Sequence, residues 1–447
     1  MLDGMRCENY ELCKRIMQKG WAPMNRRNFL TSAAGVAGAG SLAGLGSLAF
    51  SYGAHAAGLP SSKITRIRYY RTPTDAAGRP NVRQPLFNQS TYVVLVETDS
   101  GLVGVGEGGA QNVMEQLAGQ LIGEDPFRTE RLWQNMHRAY FYPAGREKTH
   151  AIGALDCALW DLKAKALGVP LYQLLGGKAR NHVECYATGY NIPGQPNASH
   201  RERARACIEA GFHTYRIHDP GPGPVFDRFE QLNRIFDICK EAREGCGRDG
   251  GWAIDFHGEL DQNDGIELAT RIEPLRPYFA EDIVRSDNLA TYRLVRSKTK
   301  VPIAVGEVLG NKWDWQMLIE EDLMDYGRVT IPNVGGVSEF MKIAAMCETH
   351  TIGLIPHFTG PIATATLVHC VAATSVPALM EMNGGGRRVW PYLKQGYDFK
   401  DGKLLINDRP GNGCEVDTTQ LHMMAEYTER HGPSSLRERT DGSYTNW

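Results

Sequence analysis

The chain carries almost no net charge. Its 49 Lys and Arg residues against 51 Asp and Glu leave a formal charge of −2 with His neutral, and no basic patch stands out. Nucleic-acid binders carry a basic excess or stripe, so nucleic acid is not an expected partner. Metal-type cysteine pairing is also missing, because none of the ten cysteines forms a CxxC. Cys7 and Cys13 precede the mature chain, and the others are scattered, several in apolar helix-like contexts such as Cys157 in "LDCALWDL". Buried free thiols are the expectation, in keeping with folding in a reducing compartment. No run of about 20 strongly apolar residues is present for a permanent membrane anchor. A GxGxxG does occur, at Gly104–Gly109, but it ends the second arm of a hairpin instead of opening the helix of a βαβ unit. A dinucleotide site is therefore set aside.

What the N-terminus does have is a tripartite export signal. "NRRNFL" at 25–30 is followed by "TSAAGVAGAGSLAGLGSLAF" and then "AHAAG". These are the positive start, apolar middle and A-x-A cleavage site of a signal peptide. Arg26-Arg27 and the nearby Phe29 resemble the twin-arginine class. That route exports folded proteins, so a periplasmic or exported location is expected, with cleavage after Ala56 and no stable membrane insertion afterwards. The leader is assigned to residues 1–56.

Composition beyond the leader is that of a globular protein, 42% hydrophobic and 22% charged. Residues 63–110 read as strands, with a hairpin turn at Asp99-Ser100-Gly101, and helices follow at about 112–122, 126–139 and 147–166. From 183 the pattern changes to short β-rich runs alternating with amphipathic helices: 183–189, 214–218, 252–257, 278–284, 301–307, 328–333, 352–358 and 378–383. Such alternation implies a parallel sheet, most economically a closed α/β barrel. The organisation predicted is an α+β capping domain over 57–180, the barrel over 181–384, and a return to the capping domain from 385, with a loose polar tail from about 430.

Barrel active sites sit at the C-terminal ends of the strands. The second run ends Arg216-Ile217-His218, the third Asp255-Phe256-His257, the fourth holds Glu281, the fifth ends in Glu307, the seventh holds His357 and the eighth Glu381. Asp255, Glu281 and Glu307 are each 26 residues apart, which predicts three carboxylates at one height. Such acids repel and resist burial unless a cation compensates, and all-oxygen ligands favour a hard ion, Mg²⁺ first. A single strand histidine is more often structural than catalytic. His218, His257 and His357 stand apart because all three fall at strand ends of one barrel.

These residues resemble the enolase superfamily, in its mandelate racemase/muconate lactonizing enzyme-like branch, and within it the galactonate dehydratase-like acid-sugar dehydratases. The resemblance spans about 63–425. It rests on "AIGALDCALWDLKAKALGVPLYQLLGG" at 151–177, Asp-x-His at 255–257, "EDI" at 281, "VGE" at 305, "KIAAMCETHTIGLIPHFTGPIA" at 342–363 and "DRPGNGCEVD" at 408–417. It implies a modified (β/α)₇β TIM-type barrel under an α+β cap, and Mg²⁺ held by Asp255, Glu281 and Glu307. His257 would be the general acid and His357 the base that removes the proton next to a carboxylate, with Glu381 near the substrate. Removing that proton creates an ene-diolate, whose charge the metal stabilises. The implied product is a 2-keto-3-deoxy acid, and the expected assembly is a homo-oligomer.

Two positions depart from the pattern. Where the family holds its base with an Asp at the end of the sixth strand, this chain has Thr330, whose hydroxyl could orient a ring but brings no charge. Where racemases carry Lys-x-Lys, it has Arg216, read as a clamp for the substrate carboxylate, and His218, a candidate second base. Cycloisomerisation of a 3,6-anhydro sugar acid, or epimerisation, therefore stays open beside dehydration. A non-catalytic periplasmic acid-sugar binding protein is the third reading. Specificity is expected from the loops near 72–90 and 138–148, with Tyr140, Tyr142 and Arg146 as substrate contacts.

Overall fold

In a computed structural model, residues 58–72, 92–139, 142, 144–218, 226–383, 390–432 and 436–445 are described, His218 by its backbone alone. The expected twin-arginine leader, most of the 72–90 loop and Tyr140 lie outside the described residues. The capping domain opens with β1 (Ile64–Arg71), β2 (Tyr92–Thr98) and β3 (Val103–Glu107). Three helices follow, α1 (Gln111–Leu121), α2 (Thr129–Arg138) and α3 (Arg146–Ala166), and then the short α4 (Leu171–Leu174). The barrel alternates β4 (His182–Thr188), α5 (His200–Glu209), β5 (Thr214–His218), α6 (Arg228–Cys246), β6 (Gly251–Asp255) and α7 (Gln262–Ile272). It continues with β7 (Ala280–Glu281), α8 (Thr291–Lys298), β8 (Ile303–Val305), α9 (Lys312–Glu320), β9 (Tyr326–Gly327), α10 (Ile331–Val334) and α11 (Val337–Thr349). The last units are β10 (Gly353–Leu354), α12 (Pro361–Ala372) and β11 (Met380–Asn383). Four short strands, β12 (Leu393–Gln395), β13 (Asp398–Lys400), β14 (Lys403–Leu405) and β15 (Glu415–Val416), precede β16 (His422–Tyr427).

Strands β4 to β10 lie side by side in chain order, and β11 pairs in parallel with β4. A parallel bridge from Leu354 to Ala378 links β10 to the approach of β11 and closes the ring. The result is a (β/α)₇β barrel under an α+β cap. The capping sheet runs β16-β1-β2-β3, so the C-terminal segment supplies its outer strand.

The sequence explains the cap's geometry. Every residue of β2 is buried, and α3 carries small residues where β3 crosses it. A Cβ on Gly104 would lie 2.0 Å from the Ala158 carbonyl oxygen, and one on Gly106 2.0 Å from that of Ala154. The glycines of "GVGE" are there for close approach of strand to helix. On another face, a Cβ on Gly153 would lie 2.1 Å from the Pro332 carbonyl oxygen, which seats α3 directly on α10.

Carboxylates of the cap then bind barrel helices at their N-termini, where backbone N–H groups lack intrahelical partners. Asp156 of α3 accepts from Ser338 N at 2.9 Å and Ser338 Oγ at 2.7 Å at the start of α11. Glu107 of β3 accepts from Ile362 N at 3.0 Å and Ala363 N at 2.8 Å at the start of α12. Asp161 accepts from Val105 N at 2.9 Å and Asn412 N at 2.8 Å.

Three expectations are corrected. The barrel strands are shorter than the β-rich runs. The sixth is Tyr326–Gly327, not 328–333, because Thr330 caps a helical turn begun by Ile331-Pro332, and Pro suits the first turn of a helix. The tail is not loose where it is described. Arg131 pairs with Glu438, donates to the Gly442 carbonyl at 2.8 Å and lies over the Tyr444 ring at 4.7 Å. The third concerns His257 and is taken up with the site. Cys157, Cys185, Cys207, Cys239, Cys246, Cys347, Cys370 and Cys414 are buried. Among the described residues, no helix is long and apolar enough to cross a membrane.

Gly153→Ala should destabilise the protein by about 1–3 kcal/mol, since backbone must move. Gly58→Ala, where an added Cβ would have nothing within 4 Å, should leave thermal unfolding unchanged; equal melting points for both variants would contradict the packing argument. A second test uses pH. Burial pushes the Asp156 carboxyl up to about 7, against its bonds to Ser338. The folded state thus favours the protonated form, so this stabilisation is present below about pH 4 and lost as pH rises through the folded value. Asp156→Asn should gain on wild type by up to roughly 1.4 kcal/mol per pH unit over that window, read by urea unfolding. A difference independent of pH would refute it.

Candidate active site and metal centre

Strand register gathers the site at the C-terminal face of the barrel. His218 pairs with Asp255 across β5–β6, and Asp255 with Glu281 across β6–β7. Glu281, however, faces Ala304 on β8, so equal sequence spacing gives equal height for the first two acids only. Glu307 lies three residues beyond Ala304, after Gly306, whose φ of 133° turns the chain where a Cβ would strike the Trp315 ring. Even so, one carboxylate oxygen from each of Asp255, Glu281 and Glu307 comes within 4.8 Å of the others. The structure thus brings together the three acids that the spacing singled out.

Two guanidiniums stand among these acids. Arg216 donates through Nη1 to Asp255 Oδ2 at 2.6 Å and Glu281 Oε2 at 2.5 Å, through Nη2 to Glu381 Oε1 at 3.0 Å, and through Nε to Thr188 Oγ1 at 3.0 Å. Arg328, fully buried just after β9, bonds Glu281 through Nε and Glu381 Oε2 through Nη2 at 2.6 Å, with Glu307 Oε2 at 3.6 Å. Glu381 also accepts from Phe358 N at 2.9 Å. Arg216 and Glu381 were expected to touch substrate. Both are 3% exposed, and their polar atoms are engaged in ion pairs with each other and with neighbouring charged groups. Burial pushes the Glu381 carboxyl up, but Arg328 and Arg216 outweigh it and hold the group well below the usual range. For Glu281 burial wins over the same two guanidiniums and its carboxyl is raised. For Asp255 the balance falls the other way, toward the ionised form, through Arg216 and His257.

The two histidines differ sharply. β6 ends at Asp255, and His257 has a φ of 51°. The two residues therefore share a side because the chain folds back, not through strand alternation, which corrects the expectation of a strand to 257. His257 Nε2 lies 2.8 Å from Asp255 Oδ2, and its backbone N–H donates to Asp255 Oδ1 at 2.8 Å. The bond to Asp255 raises the imidazole to about 9 against burial, so it is held protonated. His357 Nε2 lies 3.4 Å from Glu307 Oε2, and its Nδ1 is buried with no hydrogen-bond partner. Burial, assisted by Arg328, lowers His357 and holds it neutral. Environments that push two titratable groups apart in this way sort acid from base. Thr330 does not orient His357, since its hydroxyl donates to the Glu307 carbonyl at 3.1 Å.

Arg146, at the start of α3, lines a cleft of about 180 Å³ with His257, Asp282, Ser286, Asp287 and Val308. It is the one predicted loop contact that the described residues bring to His257. Tyr142 stands 65% exposed and is not among the residues lining that cleft.

Sequence reasoning missed Arg328 and Asp282. Arg328 opens the run searched for an Asp, and its signal was an arginine at the head of a β-rich run, which needs acid partners once buried. Asp282 follows Glu281 in a left-handed conformation, φ 43°, and its Oδ1 is buried without a hydrogen-bond partner. Burial, with Glu307 nearby, pushes its carboxyl well up. The donor set fits a hard divalent cation: three convergent carboxylates, with more buried acid than two guanidiniums neutralise.

Known proteins resemble this chain along most of its length. Residues 199–420 match the family of enolase C-terminal domain-like proteins, and residues 80–176 match the mandelate racemase/muconate lactonizing enzyme N-terminal domain. A D-galactonate dehydratase of Pectobacterium atrosepticum is 32% identical over 371 residues, 79% of this chain and 92% of that protein. One of Verminephrobacter eiseniae is 31% identical over 401 residues, 86% of this chain and 100% of the relative. Among solved structures, an enolase from Agrobacterium radiobacter with bound Na and L-malate is 29% identical, with a TM-score of 0.68 over 86% of this chain and 99% of the other. An enolase from Pantoea ananatis with bound D-gluconate and Mg is 25% identical, with a TM-score of 0.69 over 80% and 94%.

The Glu307 carbonyl keeps a second donor, Asn333 Nδ2 at 2.8 Å. Thr330→Val should therefore cost about 1 kcal/mol of stability and change kcat/KM by less than about tenfold. A larger loss of activity with the fold intact would mean that the hydroxyl positions the base after all.

Proposed function

Because the chain belongs to the mandelate racemase/muconate lactonizing enzyme family of the enolase superfamily, we propose that it is a Mg²⁺-dependent dehydratase of an acid sugar, of the galactonate dehydratase type. The observation that carries this reading is the pair of histidines at the same acid cluster, His257 protonated on Asp255 and His357 neutral beside Glu307. His357 takes the proton from the carbon next to the substrate carboxylate. His257 gives its proton to the hydroxyl on the neighbouring carbon, which leaves as water. The enol so formed tautomerises to a 2-keto-3-deoxy acid. Asp255, Glu281 and Glu307 would hold the cation. When bound, it supplies a Lewis acid for the carboxylate and for the negative charge that develops there.

Asp255 serves twice, since it keeps His257 charged and ready to donate while also facing the cation seat. Arg146, on the cap, is placed to meet the distal end of the substrate, and Arg216 and Arg328 act from behind the acids. Relatives named as dehydratases support an enzyme over a binding protein. Dehydration is favoured over racemisation because the group beside Asp255 is a proton donor, as loss of a hydroxyl requires.

The test is to incubate acid sugars, anhydro forms included, with enzyme and Mg²⁺ in D₂O. The expected product is lighter than its substrate by one water, apart from the deuterium taken up at C3 on tautomerisation. A 2-keto product of the substrate's own mass, apart from deuterium, would replace dehydration by cycloisomerisation. His357→Asn should lose turnover and α-proton exchange together, by about 10²-fold or more. His257→Asn should lose turnover by a similar factor yet keep the exchange. Exchange that survives His357→Asn would remove that residue from its role.

A further inference from the structure

Formal charge at the cluster is unbalanced. Asp255, Glu281, Glu307 and Glu381 face Arg216, Arg328 and the His257 imidazolium, and Asp282 adds a further buried carboxyl. With the four carboxylates ionised, as cation binding requires, negative charge exceeds positive whatever the state of Asp282. The two guanidiniums meet on Glu281 and Glu381 and serve opposite ends of the acid set. Arg216 bridges two of the proposed ligands, Asp255 and Glu281. Arg328 pairs with Glu281 and, at 3.6 Å, with Glu307, and it also binds Glu381, which holds no place in the metal set. It has no exposed surface, so it cannot be a substrate contact in this arrangement.

We propose that Arg328 is the internal counter-ion that sets the affinity of the three-acid site for its cation. It acts through Glu281 and Glu381 as a positioning residue, rests on the metal reading above, and occupies the stretch where an Asp for the base was expected. A fixed positive charge this close repels a divalent ion in a poorly screened interior. It keeps the cluster foldable without metal, and it keeps the metal site weak enough to exchange. Glu381 does the reverse, since its negative charge offsets the guanidiniums and favours the cation. The proposal thus assigns opposite signs to the two partners of one ion pair.

The experiment is isothermal titration of the metal-free full-length protein with Mg²⁺ at fixed ionic strength. Arg328→Gln should bind Mg²⁺ about tenfold tighter than wild type, and Glu381→Gln about tenfold weaker. The double variant should return to within about threefold of wild type, because it removes a neutral pair. Arg328→Lys keeps the charge and should stay near the wild-type affinity. In EDTA Arg328→Gln should melt lower, and Mg²⁺ should raise its melting temperature more than it raises that of wild type. A folded Arg328→Gln that binds Mg²⁺ no tighter than wild type would overturn the inference. Should that variant not fold, Glu381→Gln decides, with weakened binding in support and unchanged binding against. Wild-type protein that takes up no Mg²⁺ would overturn the metal reading and this inference with it, an outcome distinct from failure of the variants alone.

Discussion

Burying four carboxylates at the end of one barrel is the constraint on which the rest of this structure depends. Ionised acids in a dry interior are strongly unfavourable unless each is bonded and paired. Arg216 and Arg328 meet most of that demand, bonding Asp255, Glu281 and Glu381 from two separate strands. Neither arginine could do so from an exposed loop, because guanidinium geometry must match carboxylates on neighbouring strands. The barrel's parallel register supplies that match, with His218, Asp255 and Glu281 in line.

A similar economy of charge joins the cap to the barrel. Asp156 and Glu107 meet the free N–H groups at the starts of α11 and α12. Helix ends that would otherwise need water are closed by the other layer. These bonds hold α3 in place, and Arg146 at its first residue is thereby carried to the cleft beside His257. Contacts far from the chemistry thus position the one cap residue that reaches it.

Electrostatics also separate two identical side chains. His257 and His357 have the same intrinsic chemistry. One is bonded to a carboxylate and the other is buried near a guanidinium, so they occupy opposite protonation states at neutral pH. Two left-handed residues, His257 and Asp282, flank the acids, a conformation retained for non-glycine residues where surrounding structure compels it.

By itself, the amino-acid sequence determined the barrel, the cap and the identities of the three convergent acids. These follow from local pattern: β-rich runs alternating with helices, and polar residues recurring at run ends. It also marked the buried cysteines, because apolar flanks predict burial. Only the tertiary structure decided what the polar groups do. Arg216 and Glu381 looked like substrate contacts when each was considered alone, yet they bond each other and the acids. Arg328 stayed hidden since its partners lie on β7 and β11, remote in sequence. The tail from 430 looked loose because its anchor, Arg131, is some 300 residues away in the chain. Thr330 seemed a substitute for an acid, but its hydroxyl is turned to the Glu307 carbonyl. Charge pairing and hydrogen-bond direction depend on distances between strands, and no local pattern carries those.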